Sequence, residues 1–258
     1  MGLHQGNSRN LKPYLPSIIL EQKRDGFSSS IEVLEGSLMF ADISGFTAIS
    51  EKLSRVGKSG SEELTTIINR HLSGMVSIIT AHGGDILKFG GDATLVYFDD
   101  IKLAAKAAFA VNNWATENSF VKTSAGKFEL SLHTGLHYGK FFSAEVGDPE
   151  VKLEHIVTGH ALNEVFNAAD YAEGGEVGAT AEFITAADGL VEQYDSKGGY
   201  FLINPTIDID LRAITEHDID WDNLDVELLS KFLPHGLYDK ISTGRGAMVS
   251  GEHRNVTV

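Results

Sequence analysis

Between residues 37 and 98 the spacing of apolar side chains switches from strand period to helical period and back, and that alternation restricts the fold more than any other feature. SLMFADI (37–43) is a near-continuous apolar run, the pattern of a strand buried on both faces. FTAISEKLSRVG (46–57) then repeats apolar residues at helical spacing through Phe46, Ile49 and Leu53. Ser59 and Glu62 fit a capping box, and the following stripe of Leu64, Ile67, Ile68, His71, Leu72, Met75 and Ile79 predicts a second helix that stops at Gly83. His71, on that apolar stripe, reads as a core or interface residue. Two β-rich runs at 86–89 and 93–98 flank the turn residues Gly90, Gly91 and Asp92, the signature of a hairpin.

The rest of the chain continues the mixture. An alanine-rich helix is expected over 101–118, a strand pair around glycines over 128–147, a short strand at 153–159 and a helix over 160–175 ending in glycines. EVGAT, LVEQY and YFLIN supply late strands, and residues 11–23 a lead-in helix broken by Gly26 and the serines 28–30. The order β α α β β α β β α β points to an α+β, ferredoxin-like (split βαβ) sheet with helices mainly on one face.

Charge and composition exclude several functions. Of 258 residues, 36 are acidic and 21 are Lys or Arg, a net charge of −15 that repels nucleic-acid backbones. Cysteine is absent, so thiolate metal ligands, catalytic thiols and disulfides are excluded. No apolar run reaches the ~18 residues of a membrane span, and the polar N-terminus lacks a secretory signal, so the expected compartment is the cytoplasm. The acidity concentrates in residues 206–230, which hold eight acidic residues and one Arg; they read as a solvated connection with a short helix near 222–232.

The chemistry gathers on FADISGFT (40–47). A hydrophobic strand ends in Asp42, a small loop with Gly45 follows, and a helix begins. Backbone N–H groups at a helix start favour phosphate oxygens. A neighbouring carboxylate is compatible with phosphate only when a divalent cation bridges the two. Asp92, at the hairpin tip, is the second carboxylate. Taken singly, Asp42 serves equally as a helix cap and Asp92 as a turn residue; Asp85, just after a helix stop, reads as a turn residue too. As a pair on separated elements, Asp42 and Asp92 have the character of a two-metal site, which needs carboxylates converging on ions roughly 3.5–4 Å apart.

LMFADISGFTAISEKL (38–53) together with GGDILKFGGDATLVYF (83–98) resembles the class III adenylyl/guanylyl cyclases, most of all the first (C1-type) domain of the soluble, bicarbonate-responsive type and its bacterial relatives. The resemblance covers about residues 37–205. It implies that Asp42 and Asp92 bind two Mg²⁺ or Mn²⁺ ions, with the Ile43 carbonyl as a further metal ligand. It implies that the amides around Gly45, Phe46 and Thr47 meet the triphosphate, and that His133 stands where related domains carry a basic residue for it. The reaction implied is conversion of ATP to 3′,5′-cyclic AMP and pyrophosphate.

The departures from the family pattern are equally specific. The hairpin lysine is present as Lys88 and the ribose-orienting Asn as Asn163, residues of the pseudo-site. The adenine-reading Asp is replaced by Ile156, and the transition-state Arg by Asn167, which carries no charge. The Arg that would join Lys88 in holding bicarbonate is replaced by Phe166. The chain therefore carries the metal half of a site, and a complementary C2-type domain is the expected partner, with a homodimer as the alternative in isolation. On this reading residues 1–36 are a lead-in, 37–205 the cyclase domain, 206–250 an acidic linker, and 251–258 (GEHRNVTV) the start of a second cyclase domain. A catalytically silent nucleotide-binding module is the competing reading. A diguanylate-cyclase-like palm is disfavoured, because Ala93 follows the GGD. The histidines at 71, 82, 137, 155, 160 and 217 show no i, i+4 metal spacing, and no Ser/His/Asp arrangement stands out.

Overall fold

The computed structural model describes residues 11, 14–24, 31–208, 224–234 and 237–242. Helix α1 (Ser17–Arg24) precedes strand β1 (Ile31–Ser44), which leads into helices α2 (Phe46–Ser54) and α3 (Lys58–Ala81). The hairpin β2 (Asp85–Gly90) and β3 (Ala93–Phe98) follows, then helix α4 (Ile101–Glu117). A small two-stranded sheet, β4 (Phe120–Thr123) with β5 (Gly126–Glu129), precedes the long β6 (Ser131–Asp148) and β7 (Lys152–Thr158). Helix α5 (His160–Tyr171), β8 (Val177–Thr180), helix α6 (Ala181–Ala186), β9 (Val191–Lys197) and β10 (Tyr200–Pro205) complete the sheet, and short helices α7 (Val226–Ser230) and α8 (Leu237–Ser242) come last. Among the described residues the main sheet has eight strands, in the order β2-β3-β1-β6-β8-β10-β9 with β7 paired to β6. β1 with β3, β2 with β3, β8 with β10 and β9 with β10 pair antiparallel; β6 and β8 run parallel.

The chain divides into two compact units. The larger, Val33–Ser143 with Val157–His217, holds the main core. There one face of the sheet, through Met39, Ala41, Ile43, Val96, Leu132, Leu136 and Ala179, packs with Ile49 and Leu53 of α2, Ile67, Met75 and Ile79 of α3, and the alanines of α4. Strand alternation turns Phe40, Asp42, Gly135 and Gly178 to the opposite face. Helix α5 lies on that face. Gly135 and Gly178 are register partners across β6 and β8, and any Cβ there would stand 2.3 Å from Val165 O or 1.9 Å from Ala168 O. The paired glycines let the backbone of α5 rest directly on the sheet, with Ala161, Val165, Ala168 and Ala169 buried.

The smaller unit is Met1–Glu32, Ala144–Ile156 and Asp218–Val258. Leu15, Ile18, Ile19 and Leu20 around α1, Leu153 of β7, and Leu224, Leu229, Leu233 and Ile241 around α7 and α8 are all buried. Lys23 Nζ donates to Glu145 Oε2 at 2.7 Å, and Leu153 N to Lys231 O at 3.0 Å.

Several expectations change in detail. The capping box fails: Gly57 precedes α3, and Ser59 lies inside the helix. The strand pair expected over 128–147 is the end of β5 followed by one continuous strand, because Gly135 marks a close helix approach rather than a turn. β1 begins at Ile31 rather than 37, and its Phe40 and Asp42 face is only half-buried. Helix α5 stops at Tyr171, before the glycines. Helix α6, capped by the Thr180 hydroxyl, has no counterpart among the expected elements. The helix near 222–232 is present as the shorter α7. The breaker at 25–30, the stretch 209–223 and GEHRNVTV lie outside the described residues.

Candidate active site

Two carboxylates come together at one end of the sheet. Asp42, two residues before the end of β1, is the register partner of Ala93 on β3, and Asp92 immediately precedes Ala93 at the hairpin tip. Strand pairing and chain geometry hold the two Cα atoms within roughly 9 Å. Both side chains are half-buried. Burial pushes the Asp42 carboxyl above its ordinary value, and the Asp92 carboxylate pushes it further. His133 opposes the rise, followed by the Ile43 backbone hydrogen bond, and Asp170 adds to it. Asp85 sits at the other end of the hairpin, opposite Tyr97, away from this pair.

Beside Asp42 the chain turns into α2 through Gly45, whose φ is 104°. Only glycine suits this position: the backbone is left-handed, and a Cβ would meet Glu129 O at 2.8 Å. The cap offers no side-chain acceptor to the first turn of α2. The amides of Phe46 and Thr47 therefore stand at an open helix start, the arrangement that accepts anionic oxygens. The Phe46 side chain is buried and Thr47 is exposed. Ile43 turns its side chain into the core, leaving its backbone on the strand beside Asp42.

His133, on β6, is half-buried, and its Nδ1–H donates to Ala172 O at 2.8 Å. Asp170 is the member that sequence reasoning missed. It follows Phe166 by one helical turn on α5, and Phe166 meets Phe40 edge-on with centroids 4.8 Å apart. Phe40 shares a strand face with Asp42. Helical and strand periodicity combined would have placed Asp170 near Asp42.

The residues expected to line a pseudo-site are exposed. Lys88 is exposed on β2, beside a register shift. Asn163 and Asn167 are both exposed on α5; Asn167 Nδ2 donates to Tyr200 Oη at 2.9 Å, toward β10 and away from β1. Tyr200 Oη in turn donates to Glu164 Oε2 at 3.4 Å.

Among the described residues no three His, Asp or Glu side chains form a group able to hold a metal ion by themselves. The donor set is two half-buried carboxylates and a strand carbonyl, next to open amides. It suits a hard divalent cation whose remaining ligands come from water and phosphate. Burial first, and then the Asp92 charge, disfavour the Asp42 carboxylate, and a bound cation would offset both. No helix among the described residues is long and apolar enough to cross a membrane.

Known proteins share the family and the fold. The sequence model for the adenylate and guanylate cyclase catalytic domain matches residues 32–192. The chain is 30% identical over 175 residues to adenylate cyclase type 10 of Oryctolagus cuniculus, covering 64% of this chain but 10% of that protein. It is 29% identical over 133 residues to an adenylate cyclase of Anabaena cylindrica, covering 49% of this chain and 25% of that one. The chain thus spans about a tenth of adenylate cyclase type 10. Among solved structures, the guanylyl cyclase Cya2 superposes with a TM-score of 0.56 at 24% identity, covering 68% of this chain and 92% of that chain. The adenylyl cyclase CyaB from P. aeruginosa does so with a TM-score of 0.53 at 20% identity, covering 69% and 98%. With its fold shared by these structures and the family match spanning most of the sheet, the chain belongs to the adenylate and guanylate cyclase catalytic domain family.

Proposed function

We propose that this chain is the metal-binding half of a nucleotide cyclase that converts ATP to 3′,5′-cyclic AMP and pyrophosphate, completed by a second cyclase domain. The observation that carries the proposal is Asp42. Its carboxyl is raised by burial and by Asp92, and it stands at a strand end beside the uncapped start of α2. Asp42, Asp92 and the Ile43 carbonyl would hold two Mg²⁺ or Mn²⁺ ions. When bound, these ions supply charge neutralisation at the triphosphate and acidify the attacking hydroxyl.

The chain's own groups do the positioning. The Phe46 and Thr47 amides orient the phosphate oxygens, and Gly45 lets the turn approach them closely. The ribose 3′-hydroxyl attacks the α-phosphorus; its O–H bond breaks and the proton passes to solvent, a new O–P bond forms, the bond from the α-phosphorus to the oxygen it shares with the β-phosphorus breaks, and pyrophosphate leaves. Asn167 carries no charge for the developing phosphate, and Phe166 is packed on Phe40. The uncharged Asn167 supports a requirement for a cationic group from a partner domain. ATP as the nucleotide rests on the adenylate cyclases among the relatives.

The test mixes the full chain with a complementary cyclase domain and Mn²⁺–ATP, and assays cyclic AMP against cyclic GMP. The mixture should be active, the isolated chain nearly silent, and Asp42→Ala inactive. Asp42→Ala turning over like the unmodified chain would sink the proposal. Asp42-dependent binding of Mn²⁺–ATP without product in any mixture would instead favour a silent nucleotide-binding module.

A further inference from the structure

We propose that Asp170 is a positioning residue of the cation site, accepting hydrogen bonds from the water shell of an ion held by Asp42 and Asp92. The inference rests on reading those two carboxylates as cation ligands. The turn after β1 sets Gly45 beside Glu129 O and Leu130, so β1 ends where β6 begins. Helix α5 runs toward that same end. A Cβ at Gly135 would meet Val165 O and Ala169 N; two residues nearer the start of β6, His133 Nδ1–H donates to Ala172 O at 2.8 Å. Along β1, Asp42 lies two residues beyond Phe40, about 7 Å of strand and on the same face. Along α5, Asp170 lies four residues beyond Phe166, about 6 Å of helix and on the same stripe. The Phe40 and Phe166 rings meet edge-on with centroids 4.8 Å apart. Nearly equal steps toward one end of the sheet carry that facing pair onto Asp42 and Asp170. The charge of Asp170 is accordingly felt at Asp42, as the last of the influences on its carboxyl.

The spacing favours a water between Asp170 and the ion. An aspartate side chain is shorter than that of phenylalanine, so the two carboxylates stand farther apart than the two rings. Asp42 is half-buried and Asp170 exposed. Among the described residues Asp42, Asp92 and Asp170 do not make up a three-ligand group for a metal ion. Nor does the Asp170 carboxylate have a hydrogen-bond or ion-pair partner among the described residues, so its acceptor sites are open. A hard divalent cation bound by one or two carboxylates keeps several waters. Groups that accept hydrogen bonds from such a shell orient it and tighten the metal. The end of α5 is fixed for this task. Ala168 and Ala169 are buried against the sheet, and His133 holds the carbonyl two residues after Asp170.

The test is Mn²⁺ binding to the full chain without nucleotide, read by electron paramagnetic resonance of the free ion. Asp42→Asn should abolish uptake at Mn²⁺ concentrations that saturate the unmodified chain. Asp170→Ala should weaken the affinity about tenfold, the low end of what the outer partners of a metal site contribute. Asp170→Asn keeps an acceptor oxygen without the charge, and should recover part of that loss, to about threefold. Asp188→Ala removes an equal charge from an exposed turn and should change the affinity by less than about twofold. The Phe40 and Phe166 ring-proton shifts should stay in Asp170→Ala, because α5 keeps its place.

Asp170→Ala binding within about twofold of the unmodified chain overturns the proposal. So does an equal loss in Asp188→Ala, which would mean net charge, or an Asp170→Asn no better than Asp170→Ala, which would mean local charge without a held water. Ring shifts that move together with the affinity overturn it too, as the mark of a merely structural role. Each of these results, with Asp42→Asn still unable to take up Mn²⁺, leaves Asp42 as a ligand. An unmodified chain that takes up no Mn²⁺, or an Asp42→Asn variant that takes it up equally, removes the cation reading itself and the role of Asp170 with it.

Discussion

Gly178→Ala isolates the contact that sets α5 on the sheet. The added Cβ would lie 1.9 Å from Ala168 O and 2.9 Å from Ala168 C, about 1.5 Å short of ordinary van der Waals contact with the oxygen. Gly178 does not have a left-handed backbone, so the effect is steric alone. Overpacking costs about 1–3 kcal/mol when side chains can yield. Here the obstacle is helix backbone, which places the cost toward the upper end, about 2–3 kcal/mol. For a domain of this size that lowers Tm by about 5–10 °C. The assay is thermal unfolding of the full chain by circular dichroism, with Gly90→Ala as control. Nothing lies within 4 Å of a Cβ at Gly90, so its Tm should stay within about 2 °C. A lifted helix would also lengthen the 4.8 Å Phe40–Phe166 contact, which ring-proton shifts report. Gly178→Ala melting with the unmodified chain would refute the close-packed helix and the placement of Asp170 and His133 that depends on it.

Three further outcomes are expected. Because the Asp42 carboxyl is raised, the folded chain keeps a proton that the unfolded chain has released, and stability declines as pH climbs from the ordinary carboxylate range through the raised value. Asp42→Asn should therefore raise Tm at pH 7 while losing any stabilisation by Mn²⁺; an unchanged or lower metal-free Tm contradicts this. Burial holds the His137 imidazole below its ordinary value, against the opposing pull of Glu182 and Glu164. The unfolded chain then takes up the proton first, so stability falls as pH drops below ~6.5, and His137→Gln should flatten the difference in Tm between pH 7.5 and 5.5. Asp100 caps α4 through Lys102 N at 2.7 Å, and Asp100→Ala should cost about 1 kcal/mol in urea unfolding.

The hairpin 85–98 and the helices 46–54 and 101–117 were legible because their signals are local: turn residues between alternating runs, and apolar stripes at helical spacing. The carboxylate pair was legible only when the strand end and the hairpin tip were read together, since either Asp alone has an ordinary local explanation; the family resemblance then gave the pair its implied role. What stayed hidden depends on partners far along the chain. Gly135 reads as a strand breaker until the parallel register sets it beside Gly178 and α5 covers both. Asp170 reads as a helix-end acid until Phe166 is seen against Phe40. His71 was recognisable as a core residue, but its Nε2 lies 3.2 Å from the carbonyl oxygen of Asn118, at the end of another helix. Ser59 satisfied a capping pattern that Gly57 made irrelevant by starting α3 earlier.

The matched span, 32–192, is a tempting place to cut this chain for expression. Such a cut would discard Lys23 and Lys231 while retaining Glu145, Glu150 and Leu153 in the middle of the sequence. The tip of the β6–β7 hairpin would then keep a buried-type leucine and an acid without the base that neutralises it. Shortened versions should precipitate or be clipped between residues 144 and 156, and the boundary best suited to soluble protein is one that retains both flanks.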